Sequence, residues 1–272
     1  MTRIMTRMPA VDGRFYPADP KGLQAMMEQL VPARPAEELE AALAVVLPHA
    51  GYVYSGAVAG KTISRVRVPE SVLLLGPNHH GRGAAVALDT RDWRMPWGLV
   101  PCDRELADLL VQKAPMVRED HAAHAAEHSL EVQLPFLYRM QPKLAIAPLV
   151  IGRVDYPSCR ETASALACAI RALNRPVLVV ASTDMSHYLS RREAMVLDRL
   201  AIDHVLALDP EGLYQTVVQR RISMCGVIPT TIALLIALEL GARQAELVEY
   251  TDSGAVSGDT AQVVGYAGVI IR

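Results

Sequence analysis

Apolar residues arrive in short unbroken runs rather than in strict alternation. "ALAVVLP" at 42–48, "SVLLLGP" at 71–77, "KLAIAPLVIG" at 143–152 and "PVLVVAST" at 176–183 are rich in β-branched residues and bounded by turn formers. Runs of that kind read as strands buried on both faces. "AAVALD" at 84–89, "AELVEY" at 245–250 and "AQVVGYAGVII" at 261–271 read as further strands. Between them the pattern changes to helical spacing at 57–66, 104–113, 127–140, 158–173, 191–218 and 229–241. Asp103 and Ser158 are the expected N-caps of two of these helices, Gly241 the expected C-terminal stop of another, and Pro135 a kink or break in the 127–140 segment. "PWGLVPCD" at 96–103 reads as loop. Alternating strands and helices imply an α/β fold with a mostly parallel or mixed central sheet covered by helices on both faces. Without a linker, repeat or low-complexity stretch, residues 1–272 read as a single domain.

Composition narrows the function classes. Lys and Arg number 27 against 29 Asp and Glu, a net charge of −2, so neither nucleic acid nor an anionic membrane is an expected partner. No apolar stretch is long enough to span a bilayer, and "MTRIMTRMPAVDG" lacks the apolar centre of a secretory signal. Cys102, Cys159, Cys168 and Cys225 show no CxxC spacing. These features suit a cytoplasmic protein with reduced thiols.

In open α/β sheets, sites form in the loops beyond the strand ends. Three such exits carry histidine: His49 after the 42–48 run, the pair His79 and His80 after 71–77, and His187 with Asp184 after 176–183. That concentrates four of the eight histidines at the exits of one inferred sheet. "EDHAAHAAEHSLE" adds His121, His124 and His128 at helical spacing, with Glu127 and Glu131, and "SMCGVIP" sets Cys225 ahead of a helix. Imidazole and thiolate suit iron, copper or zinc, and a neighbouring carboxylate orients a ligand or serves as a base. Each residue taken singly has a plainer account: His49 bonded to a carbonyl, Asp184 a helix cap, Cys225 a buried thiol. Adjacent residues of an extended chain point to opposite sides, so one of His79 and His80 is expected to be the ligand. No GxSxG elbow or phosphate-binding loop competes, and a Cys225–His187–Asp184 nucleophilic triad would leave His49 and His79 idle.

"RFYPADP", "PHAGYVYSG", "LLGPNHHG", "EHSLEVQLPFL", "STDMSHY" and "CGVIP" occur here in the order found in the Memo family, which this chain resembles over nearly its whole length. The family comprises bacterial and archaeal relatives of the eukaryotic mediator of cell motility, also called the B component of the AmmeMemoRadiSam system. The resemblance implies a fold like that of class III extradiol dioxygenases and a non-haem metal site at His49, His79 and Cys225. Asp184 and His187 match residues lining the same pocket, with His187 as general base and Asp184 orienting it; His80, His128 and Glu131 are expected around it. Iron is the expected metal, with copper or zinc as alternatives. Cys225 replaces the carboxylate ligand of the ring-cleaving enzymes, so their catechol chemistry does not transfer directly. Val227-Ile228 stands where part of the family carries Arg-His after the "CG". The implied function is a metal-dependent redox enzyme acting on an unknown small molecule or peptide, linked to a radical SAM protein and an AMMECR-type protein. A peptide- or protein-binding scaffold and a copper or iron chaperone are the competing classes.

Overall fold

A computed structural model describes residues 6–272; the first five residues of the "MTRIMTRMPAVDG" stretch lie outside the described part. Strand β1 (Thr6–Arg7) and helix α1 (Pro20–Leu30) lead into β2 (Ala44–Leu47) and α2 (Tyr52–Ile63). Strands β3 (Ser71–Pro77), β4 (Val86–Leu88), β5 (Asp92–Met95) and β6 (Gly98–Val100) follow, then α3 (Arg104–Lys113), β7 (Val117–Glu119), α4 (His121–His124) and α5 (Leu134–Met140). The C-terminal half runs β8 (Ala145–Ile151), α6 (Tyr156–Leu173), β9 (Val177–Ser182), β10 (His187–Leu189), α7 (Arg191–Leu206), α8 (Pro210–Arg220), α9 (Val227–Glu239), β11 (Ala245–Asp252), α10 (Gly254–Ser257) and β12 (Val263–Ile271).

The main sheet has the order β10-β12-β2-β9-β3-β8-β4-β7, with β11 also paired to β12. Its centre, β2-β9-β3-β8, is parallel, and β12 and β4 run antiparallel to it. All seven residues of β3 are buried, which explains why its sequence shows no polar alternation. Alternation survives instead as a choice between two cores. Leu73, Leu75, Val179 and Ala181 face the layer of α3, α6 and α9, while Val72, Leu74, Leu178 and Val180 face that of α1, α2 and α5.

Several local expectations change. Asp155, not Ser158, caps α6, accepting the Ser158 N–H at 3.0 Å, because Pro157 sits in the first turn and the helix begins earlier than its apolar spacing suggests. Helix α2 starts at Tyr52 directly after the strand exit rather than at 57. Residues 98–100, expected as loop, form a strand that pairs with β5 in a three-stranded sheet ordered β1-β5-β6. The 127–140 segment is a 3₁₀ turn at Glu131–Gln133 followed by α5, with Pro135 in the first helical turn where its missing N–H costs nothing. The histidine helix is one turn long: His121 and His124 belong to α4, whereas His128 lies on the loop beyond it.

Glu131, expected at the pocket, serves the N-terminal segment instead. Its oxygens take Arg7 Nη1 at 2.6 Å, the Tyr16 hydroxyl at 2.8 Å and the N–H groups of Ala10 and Val11. Arg7 is buried with it; its other nitrogens donate to the carbonyls of His124 and Glu127, and its guanidinium lies 4.0 Å over the Trp93 ring. The pair ties β1 to the 124–131 loop. Glu131→Ala leaves the buried guanidinium without its counter-charge and should cost about 3–5 kcal/mol, read as a fall in the urea midpoint. Arg7→Met combined with Glu131→Leu should recover only the part due to the unpaired charge, because the Tyr16 hydroxyl and the Ala10 and Val11 N–H groups still lose their acceptor.

Candidate metal centre

β2, β9 and β3 are neighbours in register, Leu47 beside Ser182 and Leu75 beside Ala181, so their C-terminal ends open onto one area. His49 leaves β2, Thr183 and Asp184 leave β9, and Asn78 and His79 leave β3. β12 is antiparallel to β2 and runs on past its end, where β10 pairs with Val263 and Val264 and carries His187 to the same rim.

The Cys225 loop is pinned to the β9 exit. The Gly226 N–H donates to Thr183 Oγ1 at 2.9 Å, and a Cβ on Gly226 would collide with Thr183 and the Ser182 carbonyl. The Asp184 N–H points at Cys225 Sγ, 3.2 Å away, and Sγ stands 3.2 Å from His49 Nε2.

Hydrogen bonds assign the imidazole tautomers. Ser182 has one hydroxyl proton and its Oγ donates to the Ser129 carbonyl at 2.6 Å, so at 2.9 Å from His49 Nδ1 that oxygen accepts. His49 is therefore protonated on Nδ1 and presents a lone pair on Nε2. His79 Nδ1 donates to Glu127 Oε1 at 2.9 Å, so in the neutral ring Nε2 is the nitrogen that carries the lone pair. His128 packs on His79, ring centroids 4.7 Å apart and planes at 21°, with Phe15 on its other side at 4.8 Å. One ring nitrogen from each of His49, His79 and His128 lies within 4.8 Å of the others, the one such cluster among the described residues.

Of the sequence-predicted residues, His49 and His79 thus meet as expected. His128 completes the cluster, and Cys225 adjoins it through His49. His80 is turned away, exposed, with Nε2 on the Ala126 carbonyl. Asp184 does not orient His187: its Oδ1 accepts the His49 N–H at 2.8 Å and its Oδ2 lies 4.0 Å from His49 Nε2. Ser223 orients His187, its carbonyl accepting Nδ1–H at 2.9 Å and its hydroxyl accepting the backbone N–H at 2.7 Å. Glu127, Ser182 and Ser223 are site residues that sequence reasoning left without a role. Only the "EHS" context of Glu127 hinted at one, since isolated serines carry no pattern.

Two buried carboxylates are driven in opposite directions. Burial raises Asp184 to about 7, against the backbone N–H groups of His49 and Ala50 that favour its anion. Burial also pushes Glu127 upward, but hydrogen bonds from His79 and from the N–H groups of Ser129 and His79 outweigh it and hold the carboxyl well below the usual range. Burial, reinforced by the neighbouring imidazoles, keeps His49 neutral and lowers His128 to about 4. Burial likewise lowers His187. The Cys225 thiol is pushed far up by burial and by Asp184, so without a cation it keeps its proton. Neutral imidazoles with oriented lone pairs are what a transition metal requires, so the donor set fits one.

Comparison with known proteins agrees with this architecture. A family profile for Memo-like proteins matches residues 7–270. A MEMO1 family protein of Methanopyrus kandleri is 42% identical over 281 aligned residues, covering 98% of this chain and 99% of its own. Relatives of the same name from Archaeoglobus fulgidus and Aquifex aeolicus are 42% and 40% identical, each over 98% of this chain and 99% of theirs. Among solved structures, an uncharacterised protein of Escherichia coli K12 superposes with a TM-score of 0.52 at 16% identity, over 84% of this chain and 99% of that one, a likeness of fold alone.

The depressed His128 makes the metal-free site acid-sensitive. Between about 4 and 6.5 the unfolded chain binds a proton that folded His128 refuses, so stability is complete above 6.5 and is lost as pH falls through that window. His128→Gln should flatten this acid limb by up to about 1.4 kcal/mol per pH unit in chelator-treated protein, measured by urea unfolding at pH 7.5 and 5.

Proposed function

The chain belongs to the Memo family, and from that premise we propose that it is a metal-dependent redox enzyme whose centre is held by His49 and His79 together with His128 and Cys225. The supporting observation is the convergence of three imidazoles, two of them oriented by buried hydrogen-bond partners. Iron is the first candidate and copper the alternative. A thiolate neighbour and imidazoles suit both, and the absence of a compact cysteine set argues against a structural zinc site. Such a metal supplies one-electron redox chemistry and a Lewis-acid position for a bound substrate.

The chain's own groups divide the remaining work. Glu127 keeps the His79 ring and lone pair in place through two bonds from one residue, 2.7 Å to its N–H and 2.9 Å to Nδ1. Cys225 gives up its proton only when a cation offsets the burial that now holds it. Asp184, titrating near neutrality beside His49, can take or return a proton at that point. His187 is the general base: the Ser223 carbonyl holds its Nδ1–H, so Nε2 is the basic nitrogen, and burial keeps it unprotonated at neutral pH. The Phe15 ring packs against His128 at a tilt of 51° and covers part of it.

Protein purified anaerobically should carry close to one iron or copper per chain by elemental analysis, with His49→Ala and His79→Ala losing it while keeping the wild-type circular dichroism spectrum. Loss in Cys225→Ser together with disappearance of a thiolate charge-transfer band would make the thiolate a ligand. Loss in His128→Ala as well, with metal retained in Cys225→Ser, would make the centre all-imidazole. Protein that takes up neither iron(II) nor copper(I) in anaerobic titration would sink the enzyme reading and leave the pocket as a binding surface.

The carboxylate of Glu127 offers a separate check. Glu127→Gln keeps the shape but removes the anion behind His79, and metal affinity should fall about 10–100-fold by competition with a chelating dye.

A further inference from the structure

Beside His79, on the turn that leaves β3, lies an open cleft of about 590 Å³ formed by Asn78, His79, Gly81 and Gly83 and, from the end of β8, Gly152 and Arg153. Its shape comes from backbone. Gly81 and Gly83 hold φ of +60° and +77°, conformations that side chains resist, so two positions of the turn that lines the cleft carry no side chain. An added Cβ at Gly81 meets nothing within 4 Å, whereas one at Gly83 would collide with the Asp120 carboxylate. The Asn78 amide is committed to closing the turn, donating to the Arg82 carbonyl at 2.7 Å and accepting its N–H.

The charges around the cleft are one-sided. Arg153 is exposed, and among the described residues its guanidinium has neither an ion-pair partner nor a hydrogen bond. Arg82, also exposed, adds a second such guanidinium on the same turn. No Asp or Glu lines the cleft, and the two carboxylates that hold its turn are already occupied. Asp120 accepts the N–H groups of Ala84, Ala122 and Ala123, and Glu127 is held by His79, His128 and Ser129. A concavity of backbone and unpaired guanidinium, with no free anion of its own, is complementary to an oxyanion.

We infer that this cleft is an anion-recognition subsite. It seats a carboxylate or phosphate group of a small molecule whose other end reaches the metal-side nitrogen of His79. Only that second half rests on the metal-centre reading; the seat for the anion stands on the turn and Arg153. Arg153 is the specificity-determining residue, because its planar fork can grip two oxygens at once while the peptide groups of the turn line the opposite wall. An uncharged analogue of the same molecule would forfeit this contact.

The test is an amide-resolved NMR titration of the full-length, chelator-treated protein with inorganic phosphate and, separately, with benzoate, at about 0.15 M salt to screen diffuse attraction. Saturable shifts centred on the amides of Gly81 and Gly83 are expected with at least one probe. Arg153→Ala should weaken the dissociation constant about tenfold or more and Arg153→Lys should restore part of it. Phosphate alone binding would assign a phosphate monoester, and benzoate alone a carboxylate. No shift with either probe, or equal titration in Arg153→Ala, overturns the subsite. Metal loading of Arg153→Ala, measured in parallel, should match wild type. Failure of both wild type and variant to take up metal would count against the metal centre while leaving the anion seat intact.

Discussion

The parallel pairing of β2, β9 and β3 is the constraint on which the site depends. Hydrogen-bonded strands lie about 4.8 Å apart, so three parallel neighbours deliver their exits within about 10 Å of one another. The register sets Leu47 level with Ser182, and each strand therefore lets go of the sheet at nearly the same height. His49, Asp184 and His79 follow within a few residues of those ends. Antiparallel neighbours would send alternate exits to opposite edges and separate the imidazoles by the length of the sheet. β12, which is antiparallel, contributes because its start overhangs the end of β2 and brings β10 with it.

Around that convergence the protein builds a layer of buried acceptors, and these decide the chemistry of the groups facing inward. Ser182 illustrates how economically this is done: one hydroxyl accepts from His49 and Gln133 and donates to the Ser129 carbonyl, joining the β2 exit, the 3₁₀ turn and the 127–131 loop. Asp184 and Glu127 carry the same functional group and are both buried, yet one is drawn toward neutrality and the other held as a firm anion. The difference is the number and charge of donors aimed at each. Glu127 collects an imidazole and three backbone N–H groups, whereas Asp184 receives backbone N–H groups only. A fixed anion orients; a carboxyl near its midpoint exchanges protons. The two thus suit different tasks at one site.

The loop bearing Glu127 and His128 has little regular structure of its own, and its rigidity is borrowed from the Arg7–Glu131 pair. Arg7 grips the loop through the carbonyls of His124 and Glu127, while Glu131 receives the N-terminal segment at Ala10, Val11 and Tyr16. The same segment supplies Phe15 against His128. A buried ion pair contributes little net stability, but it fixes one arrangement, and here that arrangement sets where the His128 ring stands.

The fold class was legible because each central strand is buried on both faces and so appears as an unbroken apolar run, and because helical spacing fills the intervals. Element starts were less legible: Asp155 rather than Ser158 caps α6, and β6 hides in a stretch rich in Pro and Gly. Histidine after a strand pointed to His49 and His79, since a strand end needs no imidazole. Their meeting with His128, the turning of Glu131 toward Arg7 and the replacement of Asp184 by Ser223 as the partner of His187 left no trace in local sequence. Those outcomes depend on which loops the sheet order makes neighbours. By itself the sequence determined the strands, their burial and the residue types at their ends, because these follow from local hydrophobicity and turn chemistry. Only the tertiary structure decided which side chains share a hydrogen bond across the exits, because such bonds join residues from 36 to 176 positions apart that the sheet order brings together.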